Sequence, residues 1–418
     1  MNNLIIKIKN GGLACICMLA LFTSCNKLYT DPTPLATPTT PAGNTLAKTL
    51  AATASDSLYY RLVVKSGILT ATPATITDST LRFTMFVPDN NAMKVFISGL
   101  SGGALPVSAP DAQFSAFITA NIPASTALPI VSYNIIPQNI TTSSFTTSSV
   151  AMPNLQYPTI FNPAPTLSAL LRLTTFPAKA SSYAFVNNVP LSAADAASTN
   201  GIIHHTAAIN LPPSASLWGR ISTDGDMTYF KAAVLRADSG TAVAPSTVGF
   251  LQGALDNIGA NLTTFVPTDS AMRAAITGLI AQGLIAQGVP PSTALAQAGA
   301  LAATPAVFSN PALYPSVTAA LVKGIVVYHI LGNRFFTNNM TTAATNYYTL
   351  LSTAGPQYPG VTIQATFTGP IVTAATVKGK ANSTASIILL DPTPSTGKSD
   401  QNATNGVLHK INQVLLPQ

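Results

Sequence analysis

Few residues in this 418-residue chain are equipped for chemistry. There are four histidines, His204, His205, His329 and His409, and the acidic residues are 13 Asp with no Glu at all. Lacking Glu, the chain cannot carry the HExxH metalloprotease pattern, an EF-hand loop with its closing Glu, or a Glu general base or glycosidase nucleophile. A zinc centre needs at least three converging ligands. The histidines come singly or as one adjacent pair, and Cys15, Cys17 and Cys25 all lie ahead of the folded body. No G-x-S-x-G elbow occurs, since Ser239-Gly240 follows Asp238 without a leading glycine. Gly397-Lys398-Ser399 imitates the end of a phosphate loop, but Pro392 stands where the first glycine belongs.

Asp224 and Asp226 flank Gly225 and would suit calcium in an Asp-x-Asp turn, although the helix expected from Thr228 favours a capping role. Asp89, Asp256 and Asp269 read as caps or turn residues. The pattern is that of a non-enzyme with no cofactor and no metal. A histidine beside an apolar strand usually satisfies nearby donors and acceptors, the role expected of His329 and His409, while His205 is expected to be exposed.

These residues need a scaffold, and the composition supplies one. Hydrophobic residues make up 47% of the chain, enough for a real core, while charged residues are only 8% against about 25% in an average soluble domain. The surface is therefore expected to be neutral and rich in hydroxyls. The 20 Lys and Arg form no run that would track a phosphate backbone, so nucleic acid is not an expected partner. In Tyr59-Tyr60 and Tyr347-Tyr348, adjacent side chains face different ways, so one of each pair should be buried.

The first residues set an address. Lys7 and Lys9 precede an apolar stretch, Leu13–Phe22, too short to span a bilayer and suited to the h-region of a secretory signal. It ends Leu21-Phe22-Thr23-Ser24-Cys25, which resembles the bacterial lipobox. That resemblance implies cleavage after residue 24 and a lipid on the Cys25 sulfur. Residues 25–43 then read as a lipidated Cys and a Pro/Thr-rich tether, which in polyproline II form would reach ~50 Å at ~3.1 Å per residue. Loss of residues 1–24 removes Lys7 and Lys9 and leaves a surplus of five positive charges. The address expected is the bacterial cell envelope, lipid-anchored, at the outer membrane.

Beyond the tether one pattern is written twice. Thr84-Met85-Phe86-Val87-Pro88-Asp89 is matched by Thr263-Thr264-Phe265-Val266-Pro267-Thr268: a short strand stopped by proline, a capping residue (Asp89 or Thr268), then a helix. Val131-Ser132-Tyr133-Asn134-Ile135-Ile136 is matched by Val326-Val327-Tyr328-His329-Ile330-Leu331. Asn200-Gly201-Ile202-Ile203-His204 with Pro212 is matched by Asn405-Gly406-Val407-Leu408-His409 with Pro417, each a tight turn followed by a strand. Amphipathic helices are expected upstream of the first box in each copy, over Ser57–Ser66 and Thr228–Arg236.

Together these features resemble the fasciclin (FAS1) domain, whose boxes look like T-x-F-A-P-T-N-x-A-F and N-G-x-x-H-x-I-D-x-V-L-L-P with a Tyr-His pair between. The resemblance covers residues 44–213 and 214–418, two tandem domains. It implies an α+β fold, each domain a β-sandwich-like core of two sheets with packed helices. It also implies structural roles for Thr84, Phe86, Pro88, Tyr133, Asn200, Gly201 and His204 in the first copy. In the second these are Thr263, Phe265, Pro267, Thr268, Tyr328, His329, Asn405, Gly406, His409 and Pro417. Asn134 replaces the family His, and Ala207 and Asn412 replace the Asp of the second box.

Between Ala274 and Val322 the chain carries no charge, and its glycines and prolines break every window long enough to span a membrane. One or two small helices covering an apolar face are expected there, as a contact with the first domain or with a partner. The resemblance implies adhesion: a lipid-anchored module contacting a surface protein, the matrix or a glycan. The alternative is a lipoprotein that captures glycan fragments or other small ligands.

Overall fold

The computed structural model describes residues 43–71, 75–147, 156–180, 182–239, 249–352, 360–390 and 397–417. The signal segment, Cys25 and the tether as far as residue 42 lie outside the described residues. The fold is α+β, and both copies of the repeated pattern fall within one compact unit.

In the first copy, helices α1 (Leu46–Ala52) and α2 (Ser57–Ser66) lead into β1 (Phe83–Pro88), followed by α3 (Asn90–Leu100), α4 (Asp111–Asn121) and α5 (Ala124–Tyr133). Eight strands follow: β2 (Ile135–Ile136), β3 (Thr146–Thr147), β4 (Tyr157–Pro158), β5 (Thr174–Thr175), β6 (Pro177–Ala180), β7 (Tyr183–Val186), β8 (Val189–Ser198) and β9 (Gly201–Thr206). The second copy opens with α6 (Leu217–Thr223), α7 (Thr228–Ala237) and α8 (Phe250–Asp256). It continues through β10 (Leu262–Pro267), α9 (Asp269–Ala286), α10 (Pro291–Leu301), α11 (Ala319–Tyr328) and β11 (Ile330–Leu331). Its remaining strands are β12 (Thr345–Tyr347), β13 (Val361–Thr368), β14 (Ile371–Lys378), β15 (Ser386–Ile387), β16 (Gln401–Ala403) and β17 (Gly406–Ile411).

The two boxes that recur in the sequence meet in space as a parallel strand pair. β1 runs alongside β9 with Phe83 opposite Gly201 and Phe86 opposite His204; β10 runs alongside β17 with Leu262 opposite Gly406 and Phe265 opposite His409. Pleating sends alternate side chains to opposite faces. Met85 and Val87 therefore join the helical core with Leu62, Phe114 and Val131, while Phe86 joins Ile136, Phe145 and Val186 on the other face. In the second copy Val266 packs with Phe230, Ile276 and Val326, and Phe265 packs with Tyr347, Ile363 and Val377. Each copy is thus helices, a central parallel pair and a second sheet layer.

The two-sheet arrangement appears differently in the copies. In the second, β11-β10-β17-β16 and β12-β13-β14-β15 are separate four-stranded sheets. In the first, the ten-residue β8 pairs with β7 at one end and β9 at the other, bulging near Ala193, and fuses the layers into one seven-stranded sheet.

The charge-free segment folds onto its own copy. Ile276, Ile280, Ala298, Val307, Phe308 and Val317 all enter the helical core of the second copy. These side chains are core material of the second copy. Among the described residues no single helix is long and apolar enough to cross a membrane.

Candidate interaction surface

The motif residues are fastened to main chain. Asn200 accepts the N–H of Leu46 at 2.7 Å and donates to the Ile76 carbonyl at 2.9 Å; Asn405 accepts from Leu217 at 2.8 Å and donates to Leu255 at 2.8 Å. Each Asn ties the helix that opens its copy to the strand that closes it. Gly201 and Gly406 follow because no side chain fits there. A Cβ would lie 2.0 Å from the Phe83 carbonyl oxygen and 2.4 Å from that of Leu262. Thr84 and Thr263 turn their hydroxyls out of the strand onto the Gln138 and Asn333 carbonyls, at 2.8 and 2.6 Å. Pro88 and Pro267 end the parallel pairs, after which Asp89 and Thr268 cap α3 and α9 at 2.8 and 3.3 Å.

His204 and His409 are fully buried and equivalent. Nε2 lies 2.8 Å from the Ile140 or Phe335 carbonyl oxygen, and Nδ1 accepts the N–H of Asp195 or Asp400 at 3.1 or 3.2 Å. That pattern requires the neutral ring with its proton on Nε2. Phe86 and Phe265 stack on the two rings at 5.5 and 5.6 Å. Burial pushes both imidazoles below the usual histidine range. His329 bonds the Ile325 carbonyl through Nδ1 at 2.7 Å and accepts the Leu415 N–H at Nε2 at 2.9 Å, and burial lowers it to about 4. In the first copy Asn134 takes this place, its amide donating to Ile130 and Asn210, both at 2.8 Å. Asn134 thus keeps the buried donor toward the residue four positions back that His329 supplies in the second copy.

Several placements differ from the sequence-based expectation. His205 is not free: its Nε2 lies 3.1 Å from Oδ2 of the buried Asp56, and that hydrogen bond raises its proton affinity. Asp224 and Asp226 do not cap the helix at Thr228. Asp224 forms a 2.9 Å ion pair with Lys410, with Asp226 at 3.7 Å, and the N-terminal N–H of Tyr229 is taken instead by Asp269 at 2.9 Å. The Tyr pairs split as expected, with Tyr59 and Tyr347 buried and Tyr348 exposed. Gly397-Lys398-Ser399 follows residues outside the description and joins no phosphate-loop geometry of strand, loop and helix.

Sequence inspection missed two features. Asp195 and Asp400 adopt positive φ, 60° and 49°, and each carboxylate caps a 3-10 turn by accepting from Thr142 or Thr337. The second feature is the seam between copies. Arg334, only 3% exposed, bonds Asn261, Asn402 and the carbonyls of Ala403 and Thr404 while its guanidinium lies over the Phe176 ring. Burial draws it down to about 10. Tyr133 donates to Thr174 and accepts from both Asn187 and Asn402, each at 3.1 Å. Asn338 reaches the Asn187 carbonyl at 3.0 Å, and Phe176, Phe336 and Val407 form a small shared core.

Beside α11 lies an apolar recess of about 760 Å³ lined by residues including Leu279, Leu321, Lys323, Leu350, Leu416 and Pro417, with Leu321 40% and Leu416 37% exposed. A second recess of about 450 Å³, bordered by β12, β13 and β14, has a wholly polar or glycine lining. Among the described residues no three His, Cys, Asp or Glu side chains converge as metal ligands.

No family model and no curated protein matches the sequence. Among solved structures, a FAS1 domain pair from the insect cell adhesion molecule fasciclin I is similar to this chain at 15% identity, over 86% of this chain and 96% of that one, with a TM-score of 0.30.

Proposed function

We propose that the chain is a lipid-anchored adhesion or protein-interaction module of a bacterial outer membrane, displayed on a Pro/Thr tether from Cys25 as two fasciclin-like domains, 44–213 and 214–418. The observation that carries this reading is the apolar recess beside α11. A contiguous apolar depression on an otherwise neutral surface suits a protein partner better than a substrate. Support also comes from the histidines: both ring nitrogens of His204, His329 and His409 are bonded to main-chain groups, and Nε2 of His205 is bonded to Asp56. The buried seam favours presentation of both domains at a fixed angle, and weak contacts would gain strength from many anchored copies.

The test is retention of beads coated with the full-length chain on surfaces bearing individual envelope and matrix proteins. Retention that falls at least tenfold in the Leu321→Asp and Leu416→Asp double variant is expected; retention on no surface, or loss-free retention of the variant, contradicts the proposal. A second reading, capture of a small glycan, is favoured by one observation, the polar recess bordered by β12, β13 and β14.

A further inference from the structure

The Tyr328 corner is the counterpart of the Tyr133 corner, yet the two are covered differently. Tyr133 spends its hydroxyl on Thr174, Asn187 and, across the seam, Asn402. Tyr328 donates to the Gly360 carbonyl at 2.9 Å and accepts the Lys380 N–H at 3.1 Å. In doing so it pins the two backbone corners that form the floor of the polar recess.

The walls of that recess are set by sheet register. Asn346 on β12, Thr362 on β13 and Lys378 on β14 stand opposite one another in a row across three strands, so their side chains share one face. Lys380 follows one residue after Gly379. Glycine is required at both floor positions: a Cβ on Gly360 would lie 1.9 Å from the Tyr347 carbonyl oxygen, and one on Gly379 would lie 2.7 Å from Leu416 main chain. The floor is therefore tight backbone, and the open volume of about 450 Å³ falls within the range for small-molecule sites.

The charge is one-sided. From Gly360 to Leu390 the sequence has two lysines and no acidic residue, and neither ammonium forms an ion pair among the described residues. The Asn346 amide and the Thr362 hydroxyl likewise make no side-chain hydrogen bond among them. Two ammonium groups without an ion pair beside an amide and a hydroxyl, with no apolar side chain lining the recess among the described residues, match a ligand that carries a carboxylate on a ring of hydroxyls. A fully apolar ligand finds no surface here, and a neutral sugar would leave both charges unanswered.

We propose that this recess binds a carboxylated saccharide, Lys378 and Lys380 holding the carboxylate and Asn346 and Thr362 the neighbouring hydroxyls. The proposal deepens the glycan reading above and rests on it.

The test is calorimetric titration of the full-length chain in detergent, at low ionic strength, with a glucuronate-containing tetrasaccharide, a neutral glucose tetrasaccharide and inorganic phosphate. Saturable binding of the first alone is expected. Its Kd should rise about tenfold in Lys378→Gln and again in Lys380→Gln, as loss of a charge-assisted contact implies, while the exposed Lys48→Gln control leaves it unchanged. All three lysines are exposed, so the variants should keep the parent melting profile. Equal binding of the neutral sugar, phosphate binding as tight as the uronate, lysine-independent binding or no binding would each overturn the proposal. If the tetrasaccharide binds but both lysine variants retain full affinity, the glycan reading survives and this recess does not. If no saccharide binds at all, both fall.

Discussion

The guanidinium of Arg334 sits 4.5 Å from the centroid of the Phe176 ring, joining the second copy of the pattern to the first through a cation–π contact out of reach of solvent. A desolvated contact of this kind contributes about 2 kcal/mol. The same side chain also satisfies Asn402 and two carbonyls, so truncation leaves buried acceptors unpaired.

Arg334→Ala is therefore expected to cost about 2–4 kcal/mol. Because the lost contacts cross the seam, a single calorimetric unfolding transition should become two. A variant that still unfolds in one transition at the parent temperature would show that the seam does not couple the copies.

Acid should destabilise the protein through its buried histidines. His329 is lowered from about 6.5 to about 4, so the unfolded chain binds the proton first. The stabilisation from the neutral ring is complete above the unfolded value and is lost as pH falls from about 6.5 towards 4, roughly 3 kcal/mol in all. His204 and His409 act in the same direction. Denaturation measured across that range should show His329→Asn, the residue type used at position 134, with a shallower acid slope than the parent. An unchanged slope would place the acid sensitivity elsewhere.

His205 has the opposite sign. Its proton affinity is raised by Asp56, so the pair stabilises fully below the unfolded histidine value, and that contribution fades as pH rises through the folded one. Asp56→Asn should therefore cost more stability at pH 5 than at pH 8. The same urea-denaturation series checks it, and equal losses at both pH values would contradict the pairing.

Backbone contact makes the box glycines irreplaceable. Gly406→Ala places a methyl 2.4 Å from the Leu262 carbonyl oxygen and 2.6 Å from Leu217, and should cost about 3 kcal/mol or more in chemical denaturation. Gly299, inside α10 with nothing within 4 Å of an added Cβ, is the control. There Ala is expected to stabilise by about 0.5–1 kcal/mol.

The legible part of the fold was the part written in local chemistry. Asn-Gly turns, strand-ending prolines and the capping Asp89 and Thr268 act within a few residues; the parallel pairing of β1 with β9 and of β10 with β17, which brings the two boxes together, was not read from the sequence. Partners that arise from distant segments were not legible. Lys410 takes Asp224 from 186 positions away, which no helix-start rule anticipates. Arg334 is a lone basic residue between Asn333 and Phe335, and nothing local marks it as the bolt of the seam. Asp195 and Asp400 escaped because positive φ at a non-glycine residue has no sequence signature. The lysines of the polar recess stand out only when β12, β13 and β14 are laid in register.

Lipid attachment at Cys25 is open to a direct check. Radioactive palmitate should label the parent chain in growing cells, and Cys25→Ala should abolish the label. Label that persists in the variant would remove the anchor from the proposal.

Attachment of living cells to a matrix-coated surface under flow is the most telling measurement. Cells carrying the anchored chain should be retained several-fold more than cells carrying Cys25→Ala or the Leu321→Asp and Leu416→Asp double variant at equal expression. Equal retention of all of these cells would contradict adhesion as the role of this protein.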